Sequence, residues 1–348
     1  MTKRIEEGKR NKKGNPLVSI ITPCYNGELF VHRLLDSIVS QTYDNMEFIF
    51  INDGSTDSTE DIVLSYTDKF KSKGIQFQYI YQENRGVAGA LNQGLGIFRG
   101  DYLTWPDSDD ILHVDNISAR VDFLENNREY SAVLTDSMLI DQLGNDLGTA
   151  RRIPPLHDDN LFSDLINYKN VYLAGGAFML RSSAFIKSNP GRSIYESSVG
   201  QNLQMLLPVF YNNKCGYISQ RLYYIYVRDG SHSRQTTDLQ GFINRWNEYE
   251  DLLLNIINSI VDMSKSEKEY WYDAINQLCA RDRFMFAIQY RDIIKIEEFY
   301  GLLKKNNYDT FRDRLLYLSE KYTFVHYFYH FLKVPWGLLK RIKGSLSG

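Results

Sequence analysis

The chain has 348 residues, of which 43% are hydrophobic and 24% are charged. This composition is typical of a soluble globular protein and excludes a disordered or fibrous one, and the length suffices for one large α/β core and a smaller second unit. The net charge of −3 argues against a nucleic-acid partner, because general nucleic-acid binders carry a large positive excess to displace counterions from phosphates.

The N-terminal segment, residues 1–15, is rich in Lys and Arg and has no hydrophobic periodicity, which predicts a disordered leader. It lacks the apolar stretch of a secretory signal, and the chain contains no run of about 18 apolar residues. The three cysteines are far apart and in no metal-ligand spacing, which favours a reducing compartment. We therefore expect a cytoplasmic protein that is neither exported nor membrane-spanning.

Strands and amphipathic helices alternate from Pro16 onward. Runs of β-branched and aromatic residues predict four strands, at residues 17–22, 47–52, 76–81 and 102–105. Apolar residues recur at helical spacing after the first and third strands. This alternation predicts an α/β fold with a mainly parallel sheet flanked by helices. In such sheets ligands bind beyond the carboxyl ends of the strands.

Polar residues follow each of the four predicted strands. The four groups are Tyr25-Asn26, Asp53-Gly54-Ser55, Glu83-Asn84-Arg85-Gly86 and Asp107-Ser108-Asp109-Asp110. Because the carboxyl ends of parallel strands meet at one edge of a sheet, we expect these four groups to converge.

The acidic group after the fourth strand has the spacing of a metal site. Asp107 and Asp109 are two positions apart on a turn, so both carboxylates can reach one Mg²⁺ or Mn²⁺ ion, which typically binds one or two carboxylates and phosphate oxygens. Such a cation neutralises the charge that builds up on a leaving diphosphate. The alternative is a strand-to-helix turn in which Asp109 or Asp110 caps the next helix.

The second and third polar groups also have two interpretations each. Asp53 can accept a hydrogen bond from a nucleobase imide, and Gly54 lets the backbone approach a ligand closely. The alternative for this group is a glycine turn followed by a helix cap. Asn84 and Arg85 offer amide and guanidinium donors that can orient a diphosphate, and the alternative for them is a solvated loop.

Taken in order, the four motifs carry a family resemblance. The sequences are SIITPCYN, INDGSTDST, QENRGVAGALNQGL and DYLTWPDSDDIL, which together cover residues 17–112. Their order and spacing resemble the family 2 inverting glycosyltransferases, whose fold is called GT-A. The resemblance implies that the donor nucleotide binds to Thr22, Pro23, Tyr25, Asn26, Asp53, Asn84, Arg85 and Gly86. It also implies that Asp107 and Asp109 form the metal-binding DXD pair. Many relatives have Ala-Arg-Asn where this chain has Ala90-Leu91-Asn92, so one basic contact to the donor is absent at this position.

The general base is harder to assign. An inverting transferase needs a base opposite the leaving group to take the proton of the acceptor hydroxyl. In much of the family this base is an Asp in a Glu-Asp pair, but the equivalent pair here is Gln201-Asn202, and neither amide is a base at neutral pH. We therefore predict Glu196 as the base, with Asp229 as the alternative.

A segment after residue 225, YVRDGSHS, corresponds to one that closes over the diphosphate in relatives. This resemblance implies that Arg228 or His232 assists departure of the leaving group. The other interpretation of His232 is a structural or exposed histidine.

The pattern of the chain changes near residue 235, where aromatic and aliphatic residues begin to repeat every three or four positions. We therefore predict a GT-A catalytic domain at 16–234 and a helical C-terminal region at 235–348. The last residues combine aromatic side chains with Lys333, Lys340, Arg341 and Lys343. This tail suits either peripheral contact with an anionic membrane or a helix that packs its aromatic side chains on the catalytic domain.

These observations predict a metal-dependent transferase that moves a sugar from a nucleotide-sugar donor, UDP-sugar by default, to a glycan or lipid-linked acceptor. An oxidoreductase with a GxGxxG turn and a P-loop nucleotidase are disfavoured because neither motif is present. A glycosidase would need two carboxylates across a sugar site, which no motif here requires. A protein that binds nucleotide-sugars without catalysis remains an alternative, because the usual acidic pair is replaced by amides.

Overall fold

The predicted N-terminal strands form a parallel half-sheet in the computed structural model, which describes residues 14–151, 161–168, 171–227 and 238–322. The strands are β1 (Val18–Cys24), β2 (Met46–Asp53), β3 (Gln76–Gln82) and β4 (Tyr102–Thr104). Their order is β3-β2-β1-β4, and every neighbouring pair is parallel. All eight residues of β2 are buried, as expected for an interior parallel strand covered on both faces.

Four helices connect or flank these strands. They are α1 (Val31–Val39), α2 (Thr59–Leu64), α3 (Thr67–Ser72) and α4 (Gly86–Ile97). Helix α1 buries an apolar stripe that includes Val31, Leu34 and Ile38, which is the spacing of one helical face. Helix α4 packs against β1 and β2. The α/β alternation predicted for this part of the chain is confirmed.

The rest of the sheet is mixed in direction. It contains β5 (Ile111–Leu112), β6 (Tyr130–Ile140), β7 (Asp146–Ala150), β8 (Phe178–Arg181) and β9 (Lys214–Tyr226). The strand order continues from β4 through β8, β6 and β9 to β5, and β7 pairs with β6. Strands β6 and β9 are parallel, and the other pairs in this part are antiparallel. The parallel pattern that the alternation predicts therefore holds throughout the first four strands, whereas beyond them β6 and β9 are the one parallel pair among the described strands.

Helices in this second part of the sheet are α5 (Asn116–Asn126), α6 (Phe162–Ile166), α7 (Ser182–Ser188) and α8 (Gln201–Phe210). Helix α5 contacts β6 and β9, and α8 contacts α6 and α7. A single 3₁₀ turn at Gly175–Ala177 precedes β8. In α8 every residue from Leu203 to Phe210 is buried, so this helix lies inside the unit and not on its surface.

A buried carboxylate ties the amino ends of the strands together. Glu47, in β2, is fully buried. Its carboxylate accepts hydrogen bonds from the Arg99 guanidinium at 3.0 and 3.1 Å and from the Gly100 N–H at 3.2 Å. A buried charge is tolerated only when it is paired and hydrogen-bonded. Glu47 therefore stabilises the fold at the edge opposite the predicted ligand site.

The chain folds as two compact units, 1–228 and 229–348. The second contains four described helices, α9 (Leu239–Ser259), α10 (Lys265–Tyr290), α11 (Ile293–Lys305) and α12 (Phe311–Lys321). Asp238, Ser264, Asp292 and Thr310 each accept an N-cap hydrogen bond at the start of one helix. The predicted helical C-terminal region is confirmed, and its core includes Phe284, Phe299 and Leu303.

No described helix combines the length and the apolar composition needed to cross a membrane. The predicted leader lies almost entirely, and the basic aromatic tail entirely, outside the described residues.

Two glycines of α4 give a matched test of its packing on the sheet. A Cβ at Gly94 would lie 2.4 Å from Cγ2 of the fully buried Ile21, whereas a Cβ at Gly96 would meet nothing within 4 Å. We expect Gly94→Ala to lower the free energy of unfolding by about 1–3 kcal/mol through overpacking. Gly96→Ala should raise it by about 0.5–1 kcal/mol through helix propensity. Urea denaturation of the two variants measures both, and equal effects would contradict the close contact of α4 with β1.

Candidate active site

The loops that follow β1 and β2 are joined by hydrogen bonds between side chains and backbone. The Asn26 N–H donates to Ser55 Oγ at 2.9 Å, and Asn26 Oδ1 accepts from the Thr56 N–H at 2.9 Å. The Gly27 N–H donates to Thr59 Oγ1 at 2.7 Å. Asn26 has φ 51°, in the left-handed region that Asn tolerates better than most residues. The first two polar groups therefore lie together, and the Asn26 side chain shapes the loop.

Asp53 joins the second polar group to the third. Its carboxylate is buried, and Oδ1 accepts from Gln82 Nε2 at 2.6 Å and from the Arg85 N–H at 2.9 Å. Gly54 has φ 76°, and a Cβ there would lie 2.8 Å from the backbone nitrogen of Asn84. A glycine is required at this turn on both grounds, since an L side chain would be strained and would also collide with the neighbouring loop.

The third polar group leads directly into a helix. Asn84 is exposed, and its Oδ1 accepts from the Gly86 N–H at 3.3 Å. Gly86 has φ 73° and is the first residue of α4. The Arg85 guanidinium forms an ion pair with the carboxylate of Glu196.

Thr22 attaches the end of β1 to the fourth polar group. It is fully buried, and its hydroxyl donates to the Pro106 carbonyl at 3.1 Å. Pro106 directly precedes Asp107. Pro23 is partly buried, and Tyr25 is 50% exposed. The structure therefore brings the four polar groups to one edge of the sheet, as the sequence predicts, although Thr22 contributes there through an interior contact.

The acidic group is a turn between two strands. Asp107 and Asp109 are partly buried, and Asp110 is buried. Ile111–Leu112 forms β5, which pairs with β9, and the next helix, α5, begins only at Asn116. The alternative interpretation of Asp109 or Asp110 as a cap of the next helix is therefore wrong, because the residues that follow the turn form a strand of the sheet.

Negative charge is concentrated in this turn. Burial and the charge of Asp109 raise the pKa of Asp107 to about 7. Burial, together with the charges of Asp107 and Asp109, raises the pKa of Asp110 well above its usual value. Carboxylates crowded in this way favour a bound cation, which removes their mutual repulsion.

The donor set fits a cation that shares its ligands with a phosphate. Within the described ranges, no three His, Cys, Asp or Glu side chains are grouped as a metal cage. Two carboxylates, Asp107 and Asp109, suit Mg²⁺ or Mn²⁺ when the other ligands are phosphate oxygens and water.

Side-chain amides hold the segment that carries Glu196. Asn92, in α4, donates from Nδ2 to the Ile194 carbonyl at 2.9 Å and accepts the Ile194 N–H at 2.8 Å. Gln204, in α8, donates from Nε2 to the Tyr195 carbonyl at 2.9 Å and accepts the Tyr195 N–H at 2.7 Å. The two residues before Glu196 are thus held by hydrogen bonds from two helices. Glu196 itself is 42% exposed.

The amide pair at 201–202 has a structural contact. Asn202 Oδ1 accepts a hydrogen bond from Trp105 Nε1 at 2.8 Å. Residue 202 therefore supports the segment that leads from β4 to the acidic turn.

Several residues of this site are missed by the sequence analysis. The sequence analysis did not predict the backbone contacts of Asn92 and Gln204. It also missed Tyr223, whose hydroxyl accepts a hydrogen bond from the Asp107 N–H at 3.1 Å. A buried glutamine in the apolar run of α8 is a signal that could have identified Gln204, because a buried amide needs hydrogen-bond partners. The predicted Arg228 and His232 lie outside the described residues.

The raised pKa of Asp107 leads to a prediction about stability. An unfolded chain ionises this carboxyl near 3.8, whereas the folded chain keeps the proton until about 7. The folded state therefore binds more protons in between, and the free energy of unfolding of the metal-free protein should fall from about pH 4 to about pH 7. Urea denaturation in EDTA at several pH values across this range measures the free energy of unfolding.

Two variants test the assignment of that pH dependence. Asp107→Asn should reduce the fall in stability, because one of the two carboxyl groups with a raised pKa is removed. Asp109→Asn should move the fall to lower pH, because Asp107 loses its negatively charged neighbour. Curves for both variants that match the wild type would show that other groups cause the pH dependence.

Comparison with known proteins identifies the family. A family model described as glycosyl transferase family 2 matches residues 19–188. An uncharacterized glycosyltransferase of Rickettsia prowazekii is 31% identical over 241 residues, which are 68% of this chain and 70% of that protein. An uncharacterized glycosyltransferase of Rickettsia typhi is 43% identical over 110 residues, which are 32% of each chain.

A solved structure supports the same assignment at the level of the fold. TarS 1–349 of S. aureus, in complex with UDP-GlcNAc, matches with a TM-score of 0.58 at 19% identity. The match covers 87% of this chain and 79% of that chain. The GT-A fold implied by the resemblance is confirmed, and the oxidoreductase and nucleotidase alternatives are excluded. With its four motifs gathered at one edge of the sheet, this chain belongs to glycosyl transferase family 2 and is a glycosyltransferase.

Proposed function

We propose that this enzyme transfers a sugar from a UDP-sugar, with inversion and with Mn²⁺ or Mg²⁺, to a hydroxyl of a glycan or lipid-linked acceptor in polysaccharide or glycoconjugate synthesis. We assign this catalysis to residues 16–234. The observation that carries the proposal is the pair of partly buried acids, Asp107 and Asp109, at the edge where the loops of β1, β2 and β3 converge. The shared fold with TarS, whose structure contains UDP-GlcNAc, supports uridine as the first nucleobase to test.

The nucleoside would bind between the loops after β1 and β2. In the described part of the chain, both hydrogen bonds to the Asp53 carboxylate fall on Oδ1. Its Oδ2 would then accept the imide N–H of a uracil. Tyr25 is half exposed beside this loop and offers an aromatic face to the base. Asp53 would thus bind the ligand and hold the Arg85 loop at the same time.

The diphosphate would lie between Arg85 and the acidic turn. Asp107 and Asp109 would hold the divalent cation, which when bound neutralises negative charge on the leaving diphosphate. Arg85 would donate to the phosphate oxygens from its guanidinium, a charge-assisted contact. Relatives often have an arginine where this chain has Leu91, and Leu91 is buried, so Arg85 would be the principal basic contact from this loop and helix.

Glu196 would be the general base, taking the proton of the attacking hydroxyl. In the ligand-free chain its carboxylate is paired with Arg85, and the two side chains are 42% and 49% exposed. Exposed ion pairs of this kind contribute only about 0–1 kcal/mol. A doubly charged diphosphate would therefore compete successfully for Arg85 and leave Glu196 to accept a proton. The contact of Asn202 with Trp105 is consistent with a structural role at the position where relatives carry their acidic pair.

Binding of the donor can be tested by thermal unfolding with a panel of UDP- and GDP-sugars, with and without Mn²⁺. A ligand bound only by the native state at 100 times its Kd stabilises that state by about 2.7 kcal/mol. We expect one uridine donor to raise the Tm, with a larger increase when Mn²⁺ is present. Asp109→Ala should abolish the metal-dependent part, because one of the two cation ligands is lost.

Asp122→Ala is the matched control, since it removes an exposed acid of α5 outside the turn. It should retain the full metal-dependent shift. Equal shifts in wild type and Asp109→Ala would disprove the cation site. Donor binding with neither transfer nor donor hydrolysis would favour the non-catalytic alternative.

Glu196→Gln tests the assignment of the base. We expect transfer to fall by about 10²–10⁴-fold, the usual contribution of a general base. Donor affinity should be unchanged or higher, because the neutral amide no longer holds Arg85. Transfer rates and donor Kd, measured on the same protein samples, separate the two effects.

Glu83→Gln is the control, because Glu83 is exposed in the loop after β3 and has no assigned role. It should transfer at the wild-type rate. A fully active Glu196→Gln enzyme would exclude Glu196 as the base.

A further inference from the structure

A buried tyrosine lies directly behind the acidic turn. Tyr223 is in β9, which pairs with β5 so that Leu112 is opposite Tyr223 and Ile111 is opposite Tyr224. Because β5 begins at the residue after Asp110, this pairing places β9 against the turn. Tyr223 has no exposed surface, so its ring and hydroxyl are committed to contacts within the protein.

The Tyr223 hydroxyl connects both ends of the turn. It accepts a hydrogen bond from the Asp107 N–H at 3.1 Å and is hydrogen-bonded to the Asp110 carboxylate. A phenolic hydroxyl has one proton to donate and lone pairs to accept, so the proton goes to Asp110 and the oxygen accepts from Asp107. A second hydrogen bond holds the Asp110 carboxylate, because its Oδ1 accepts from the Tyr226 N–H at 2.9 Å.

The ring of Tyr223 has little freedom to move. A Cβ at Gly176 would lie 2.2 Å from the ring, so the glycine backbone packs directly against it. The Gly176 carbonyl is held in turn by Arg120, whose guanidinium donates to it at 3.0 Å. Arg120 is itself fully buried. The hydroxyl is therefore held in place from behind by close packing and a second buried hydrogen bond.

These contacts of Tyr223 with the turn matter because Asp107 and Asp109 repel each other when no cation is bound. A turn free to relax would move the two carboxylates apart, and a cation would then have to restore the geometry when it binds. A turn held at the Asp107 peptide keeps the carboxylates in position in advance, which lowers the cost of binding.

We propose that Tyr223 is a positioning residue for the cation and diphosphate site, acting through its hydrogen bonds to Asp107 and Asp110. This inference rests on the proposed function, since it requires a cation at Asp107 and Asp109. Tyr223 would touch neither the cation nor the substrate, because it has no exposed surface. Its effect is on the affinity for Mn²⁺ and not on the chemistry of transfer.

Tyr223→Phe removes one oxygen atom and keeps the ring that packs on Gly176. The test is a titration of the protein with Mn²⁺ in the presence of UDP, followed by the electron paramagnetic resonance signal of free Mn²⁺. We expect the apparent Kd for Mn²⁺ to rise at least tenfold. The affinity for UDP in EDTA should stay at the wild-type value, because the nucleoside contacts lie in the loops of β1 and β2.

Tyr224→Phe is the matched control, since it removes the same atom from the adjacent, partly buried residue of β9. It should leave the Kd for Mn²⁺ unchanged. The Tm of each metal-free variant is recorded as well. A Tyr223→Phe protein with a lowered Tm but a wild-type Kd for Mn²⁺ has lost only stability, and this result would overturn the proposal.

Should Tyr223→Phe be unfolded, all titrations are repeated in trimethylamine N-oxide, which favours the compact state, and the same comparison of Kd values applies.

Two further outcomes are distinguishable. Wild-type protein that binds UDP equally with and without Mn²⁺ would disprove the cation site itself and with it the proposed metal dependence. An intact wild-type response with no change in Tyr223→Phe would disprove only the role of Tyr223.

Discussion

Repulsion among the carboxylates of Asp107, Asp109 and Asp110 is the constraint around which this site is built. Burial and mutual charge raise the pKa of Asp107 and of Asp110, so the turn is unfavourable as an isolated element. The surrounding fold maintains it through β9, which supplies the Tyr223 hydroxyl and the Tyr226 N–H. The local instability is thus offset by contacts made far along the chain, as is common where a site must be held ready for a ligand.

The other polar loops are held by the side chains expected to bind the donor. Asn26 orders the loop after β2, Asp53 orders the loop after β3, and Thr22 ties β1 to Pro106. Each side chain therefore has a structural contact in the ligand-free protein. Loss of donor binding after substitution of any of them would report on loop geometry as well as on direct contact.

The amide at position 202 bears on which residue serves as the general base. The family resemblance leads us to expect an acid here, whereas this chain has an amide that accepts a hydrogen bond from Trp105. The nearest upstream carboxylate, Glu196, is presented by a segment clamped by Asn92 and Gln204. A rigidly held carboxylate suits the role of general base that we propose for Glu196, because proton transfer depends on geometry within hydrogen-bond reach. The pairing of Glu196 with Arg85 couples this carboxylate to the proposed diphosphate site.

By itself the sequence determined the first four strands, the helices after the first and third of them, the convergence of four polar groups and the family, because hydrophobic period and motif spacing are local properties of the chain. It did not reveal that β6 to β9 complete a mixed sheet, or that Ile111 and Leu112 enter it as a strand instead of starting a helix. Both outcomes depend on pairing between residues far apart in the chain, as between Ile140 and Tyr226 or between Ile111 and Tyr224. The contacts of Tyr223, Asn92 and Gln204 became visible only in three dimensions, since a hydrogen bond between distant residues leaves no periodic trace in either partner.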